Sequence, residues 1–111
     1  MSEKYEVTIT PEAHSDILNI YSYVAVTLKE PRIADKLTAR IYKAAYSLDF
    51  SSERHPVVDW EPWHSRNIRK FPVGKYMVYY GVDRKLFKVQ IVRIFHGGRN
   101  VEEIISSEND D

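Results

Sequence analysis

A chain of 111 residues, 43% hydrophobic and 29% charged, suits one domain with a modest core; it is too ordered in composition for a disordered protein and too short for two domains. It has no cysteine, which excludes disulfides, a thiolate nucleophile and cysteine-ligated metal. Sixteen Lys/Arg balance sixteen Asp/Glu, but the neutral total hides a segregation: His64 to Arg99 holds nine basic residues against one acid, Asp83, while both flanks are acidic.

Tyr5-Glu6-Val7-Thr8-Ile9 alternates and is rich in β-branched residues, which predicts a short strand. Thr10-Pro11-Glu12 reads as a helix start, with a hydroxyl cap, proline at the first helical position and an acid in the first turn. Ala13, Ile17, Tyr21, Val24 and Leu28 then recur at helical spacing. Pro31 ends that helix, and a second follows with Ala34, Leu37, Ile41, Ala45 and Leu48 on one face. So short a connection predicts an antiparallel hairpin.

Residues 49–64 show no period, and with Trp60 and Trp63 they read as an ordered loop. Three strands are predicted next, over 65–71, 75–82 and 86–95, joined by turns at Pro72-Val73-Gly74 and Asp83-Arg84-Lys85. The last is apolar on both faces from Val89 to Phe95, which places it centrally. Val101, Ile104 and Ile105 form a short apolar piece, and the acidic end is expected to fray.

The fold expected from this order is α+β. It has an N-terminal strand, then an antiparallel helical hairpin packed on a mainly antiparallel sheet that a C-terminal three-stranded meander completes. Residues 1–105 make a single domain and 106–111 an acidic tail. The helices cover one sheet face, so the basic residues are expected to collect on the other, or on the concave side between sheet and loop, as a surface for polyanions or an acidic protein. No apolar run is long enough to span a membrane. Met1-Ser2-Glu3-Lys4-Tyr5 lacks the apolar core of a signal peptide, so a cytoplasmic protein without a membrane partner is expected.

Three segments in this order resemble the RelE/ParE superfamily of toxins from type II toxin–antitoxin pairs. Tyr-x-Val-x-Ile-Thr-Pro-x-Ala at 5–13 is similar to the family's opening strand and helix cap. Ile68-Arg69-Lys70-Phe71-Pro72-Val73-Gly74-Lys75-Tyr76 with Val78-Tyr79-Tyr80 is similar to its middle hairpin, and Ile91 to Arg99 to its closing strand and His-Gly-Gly-Arg turn. The resemblance implies a cognate antitoxin and one of two targets. RelE-type members are ribosome-dependent mRNA endoribonucleases; ParE-type members inhibit DNA gyrase without that active site. The segment after Arg99 is acidic and apolar and holds no tyrosine or histidine, which looks more like the ParE side. A non-toxic binding module on the same fold is the third reading.

For a ribonuclease, the candidate set is His96, Arg99, Arg69 and Arg93, because cleavage through a 2′-hydroxyl needs a base, an acid and cations for the phosphorane. Arg66, Arg69, Lys75 and Arg99 are the candidates for holding the target or the antitoxin. Arg99, after two glycines, is the best single one, since its planar guanidinium suits phosphate or carboxylate. In a regular last strand, Arg93 shares a face with Ile91 and Phe95 while His96 points the other way; Arg93 within an apolar run is either a buried structural ion pair or a deliberate surface charge. Tyr76, Tyr79 and Tyr80 are candidates to stack on bases, although alternation puts about half of them in the core. His64 and His14 read as structural or surface residues. No cofactor is implied, and the four histidines lack the spacing of metal ligands.

Overall fold

The strand and helix signals at the N-terminus hold to within a residue. A computed structural model describes residues 4–108, with β1 at Glu6–Ile9 and α1 at Pro11–Ser22. Thr10 caps α1: its hydroxyl accepts from the Ala13 amide at 3.1 Å and donates to the Val92 carbonyl at 3.1 Å, tying the helix start to the sheet. The helix then widens into a π-turn, Tyr23–Thr27, in which the Leu28 amide bonds the Tyr23 carbonyl at 2.9 Å. Lys29 at a φ of 57° reverses the chain, and α2 runs Pro31–Tyr46 with proline in its first turn.

The meander is β2 (Ile68–Val73), β3 (Tyr76–Asp83) and β4 (Lys88–His96), each shifted toward the C-terminus of its expected span. The sheet order is β1-β4-β3-β2, so β4 is central, as its two apolar faces require. β1 pairs with β4 in parallel, from Glu6↔Lys88 to Ile9↔Ile91, and the two helices belong to the crossover such a pair needs. The β3–β4 register shifts between Tyr79↔Arg93 and Tyr80↔Ile91, leaving Val92 as an extra residue on β4. Beyond that bulge, Ile91 and Ile94 both join the core beneath the helices. The regular alternation expected for Arg93 therefore breaks at Val92: Arg93 still shares a face with Phe95 but no longer with Ile91, and His96 still shares one with Ile94.

The helices bury Ala13, Ile17, Ile20, Ile41, Ala45 and Leu48 against Val78, Tyr80, Val89, Ile91 and Ile94. The opposite sheet face, one of the two places where the basic residues were expected to collect, is not bare. The tryptophan loop and α3 (Val101–Glu108) cover part of it, and Val58, Trp63, Val101 and Ile105 pack on Ile68, Tyr79 and Phe95 as a second core. Trp60 stacks on Trp63 with ring centres 4.9 Å apart. Asn100 caps α3 by accepting from the Glu103 amide at 3.2 Å. Ser106 to Glu108, expected to fray, belong to this helix, so the boundary drawn at 105 falls inside it; the rest of the acidic tail lies outside the described residues.

Candidate partner-binding groove

The sheet outlives its neighbour at one edge. β1 ends opposite Ile91, so the last five residues of β4 run on beside α1 with, among the described residues, no strand between. The gap is a groove of about 740 Å³ whose walls include Asp16, Ile20, Tyr23, Leu28, Lys75, Tyr76, Phe95, His96 and Arg99. The π-turn helps shape it, because the added residue joins Tyr23 to Leu28 directly by a backbone bond and both side chains line one wall.

Arg93 closes the groove's inner end. Its Nε and Nη2 donate to the two Asp16 carboxylate oxygens at 2.8 and 3.2 Å, and its Nη1 donates to both Glu108 oxygens at 2.7 and 3.0 Å. Asp16 also accepts from the Ile94 amide at 2.9 Å, satisfying a donor on the edge that β1 leaves open. Burial works against the Arg93 charge, but the bonds to Asp16 and Glu108 outweigh it and raise its pKa above the ordinary arginine value. The guanidinium carbon lies 4.5 Å from the Phe95 ring centre, and that of Arg99 lies 5.5 Å from the same ring.

The rim is set by a tight turn. The Gly97 amide donates to the Lys75 carbonyl at 2.8 Å, and a Cβ on Gly97 would stand 3.2 Å from that oxygen, so glycine lets the two chains close without crowding. This brings the exposed side chains of Lys75, His96 and Arg99 to one end of the sheet. His96 packs edge-on to Tyr76 at 5.6 Å, and its Nδ1 accepts from the Gly98 amide at 3.3 Å. The neutral ring therefore carries its proton on Nε2. Tyr76 has its pKa raised by burial, with Tyr23 adding to it.

The structure thus divides the expected site residues. Lys75, Arg93, His96 and Arg99 all line the groove, yet Arg93, with Tyr79 and Phe95, and His96, with Tyr76 and Ile94, keep to opposite sheet faces as alternation predicts. Arg66 lies elsewhere, in a broad basin of about 1190 Å³ on the sheet face away from the helices, beside Trp63, Thr8 and Gln90. That basin is the larger concavity, but Glu12, Asp83 and Glu108 share it with Arg66, Arg84, Lys85 and Lys88, so its charge is mixed.

Arg69 joins neither surface. Its Nη1 donates to the carbonyls of Glu53 and His55 at 2.8 and 2.7 Å, and its Nη2 lies 3.5 Å from the Glu53 carboxylate, so it clamps the loop to β2. Tyr79 and Tyr80 are buried, and the Tyr80 hydroxyl donates to the Ser52 carbonyl at 2.7 Å, which removes both as base-stacking platforms. Burial pushes the Tyr80 pKa up to about 12. His64 is structural as expected, its Nδ1 lying 2.8 Å from the Val58 carbonyl. Among the described residues no three His, Asp or Glu side chains gather as metal ligands, and no helix is long and apolar enough to cross a membrane.

Sequence reasoning missed Asp16, Tyr23, Leu28 and Phe95. An arginine inside an apolar strand left open a buried ion pair or a surface charge, and for a pair the sequence does not say which of sixteen acids it takes.

Residues 7–101 match the family described as the ParE toxin of type II toxin–antitoxin system, parDE. No curated protein sequence gives a significant match. Among solved structures, the fold is similar to a chain of a chromosomal ParDE system from P. aeruginosa, with a TM-score of 0.67 and 20% identity over 84% of this chain and 96% of that one. It is also similar to a chain of the RelBE2 toxin–antitoxin complex from Mycobacterium tuberculosis, with a TM-score of 0.63 and 22% identity over 85% and 92%. The archaeal RelE–RelB complex from Pyrococcus horikoshii gives a TM-score of 0.59 and 18% identity over 86% and 98%.

Proposed function

Because the chain belongs to the ParE toxin family of type II toxin–antitoxin systems, we propose that it arrests growth by binding, with DNA gyrase as its target, and that its groove receives an acidic, amphipathic segment of a cognate antitoxin. The observation that supports this reading is where the cations are committed. Arg69 clamps a loop and Arg93 is closed on two carboxylates, which leaves Lys75 and Arg99 to meet a partner over the apolar wall of Tyr23, Leu28 and Phe95. A cationic rim around apolar side chains complements carboxylates flanking apolar anchors.

The same geometry disfavours the RelE-like alternative, a ribosome-dependent mRNA endoribonuclease. Cleavage needs a base with a free lone pair near several uncommitted cations. His96 already accepts through Nδ1, and Arg69 lies beneath the loop on the far side of β3. The non-toxic binding module shares the groove and differs only in outcome.

The test is brief expression in cells lacking any antitoxin, with transcript 5′-end mapping, beside a supercoiling assay on purified gyrase. Growth arrest with inhibited supercoiling and no new ends within codons is the expected result. New intracodon ends lost with Arg99→Ala would establish the nuclease instead, and harmless expression would leave the binding module. If the chain is co-expressed with its antitoxin, Lys75→Glu with Arg99→Glu should weaken that complex about tenfold or more, roughly 1.4 kcal/mol per decade.

A further inference from the structure

The β3–β4 turn lies at the far end of the meander from the groove. β3 starts at Tyr76 on the groove wall and ends at Asp83, seven residues on, a span of about 24 Å at roughly 3.4 Å per residue. The turn presents Leu86 at 63% exposure and Phe87 at 46%. Two large apolar side chains side by side at a turn tip gain nothing from folding while they stay in water.

Phe87 also holds a φ of 53°, a region that favours glycine or asparagine. The backbone needs this conformation: the Phe87 carbonyl accepts from the Glu6 amide at 2.9 Å and so opens the β1–β4 pairing. Nothing in that bond needs a phenyl ring. The ring meets Tyr5 edge-on at 5.6 Å and otherwise faces outward. Bulky side chains in strained backbone collect where surfaces work. The tip is also rigid, because the Asp83 carboxylate accepts from the Lys85 and Leu86 amides at 3.0 and 3.1 Å. A rigid apolar tip loses little freedom on docking.

Charge defines what it docks to. Arg84 is tied to Glu53, with Nε 2.6 Å from a carboxylate oxygen. Lys85 and Lys88 are exposed and, among the described residues, in no ion pair. Tyr5 extends the surface toward the exposed Phe50 side chain, since its amide donates to the Asp49 carbonyl at 2.8 Å.

We propose that Leu86 and Phe87, flanked by Lys85 and Lys88, form a second docking surface that inserts into an apolar pocket bordered by carboxylates on the target protein. Separation from the groove means that the antitoxin and the target are held by different ends of the molecule. The inference rests on the growth-arrest reading, whichever protein is the target.

The test compares the full chain with Leu86→Asp, Phe87→Asn and, as a control, Leu18→Asp, a leucine 66% exposed on α1. Colony formation in cells without antitoxin, thermal melting, and sedimentation with vesicles of phosphatidylglycerol and phosphatidylethanolamine are measured for each. Both tip variants should restore colony formation at least tenfold. Leu86→Asp should melt as the unaltered chain does, and Phe87→Asn at the same temperature or higher, because asparagine accepts the positive φ. The control should still arrest growth. Tip variants that arrest as well as the unaltered chain would overturn the proposal, as would arrest that tracks a vesicle binding lost in the same variants, which assigns the tip to lipid. If the unaltered chain does not arrest growth, the toxin reading fails first and this one with it. Arrest without inhibited supercoiling removes gyrase alone and leaves the surface in place.

Discussion

Arg69 and Arg93 stand on either side of β3, opposite the adjacent residues Tyr80 and Tyr79, yet they serve different regions. Arg69 faces a loop and is held mainly by neutral carbonyls, so its charge is absorbed into the fold. Arg93 faces the groove and is held by carboxylates from two helices, one mostly buried and one half-exposed. The segment near +8 is therefore not a cationic surface: part of its charge is internal wiring, and the rest is divided between two ends of the sheet. Residue type and strand position alone do not separate a clamp from a contact.

The loop side should break hardest. Arg69→Ala strands the Glu53 and His55 carbonyls in a partly buried site and removes the packing of the aliphatic stem, so it should cost about 3 kcal/mol of unfolding free energy. Urea denaturation measures it; a loss below about 1 kcal/mol would mean that the loop is held by its aromatic contacts alone. On the groove side, Asp16→Asn keeps an oxygen for the Ile94 amide but leaves Arg93 facing a neutral amide, with Glu108 as its one carboxylate among the described residues. We expect a cost of about 2 kcal/mol, because one partner of a mostly buried pair is lost while the other remains. If the variant is as stable as the unaltered chain, Glu108 alone neutralises Arg93 and α3 is the stronger anchor.

How far the sequence foretold each region follows from the range of the forces involved. The Thr10-Pro11 start, the Pro31 break and the central β4 were legible because capping, φ restriction and alternation act within a few residues. The groove was not, because it depends on where β1 stops relative to β4, a register between residues some 80 positions apart. The bulge at Val92 left no local mark and redirected Ile94 and the residues after it. The second core was missed for a related reason. Val101, Ile104 and Ile105 are too few to announce a helix, and only the tryptophan loop folding over the same face makes it worth burying them. Lys75 and Arg99 were legible as candidates because glycines beside them mark a turn where a cation meets solvent.

Acid gives the finest probe of the loop side. The His55 ring stacks on Phe71 with centres 4.6 Å apart and meets Tyr80 edge-on, and burial, then the charges of Arg54 and Arg69, lower its pKa below the usual 6.5. A lowered folded pKa means that the unfolded chain takes up the proton first, so stability falls as pH drops through about 6.5 and levels off only below the folded value. His55→Gln removes the titration while keeping a polar side chain, and it should flatten the stability profile between neutrality and the onset of carboxylate protonation. The unaltered chain should slope through the same window. Parallel slopes in the two proteins would place the acid sensitivity outside the loop and would leave Arg69, rather than the aromatic stack, as the element that fixes it.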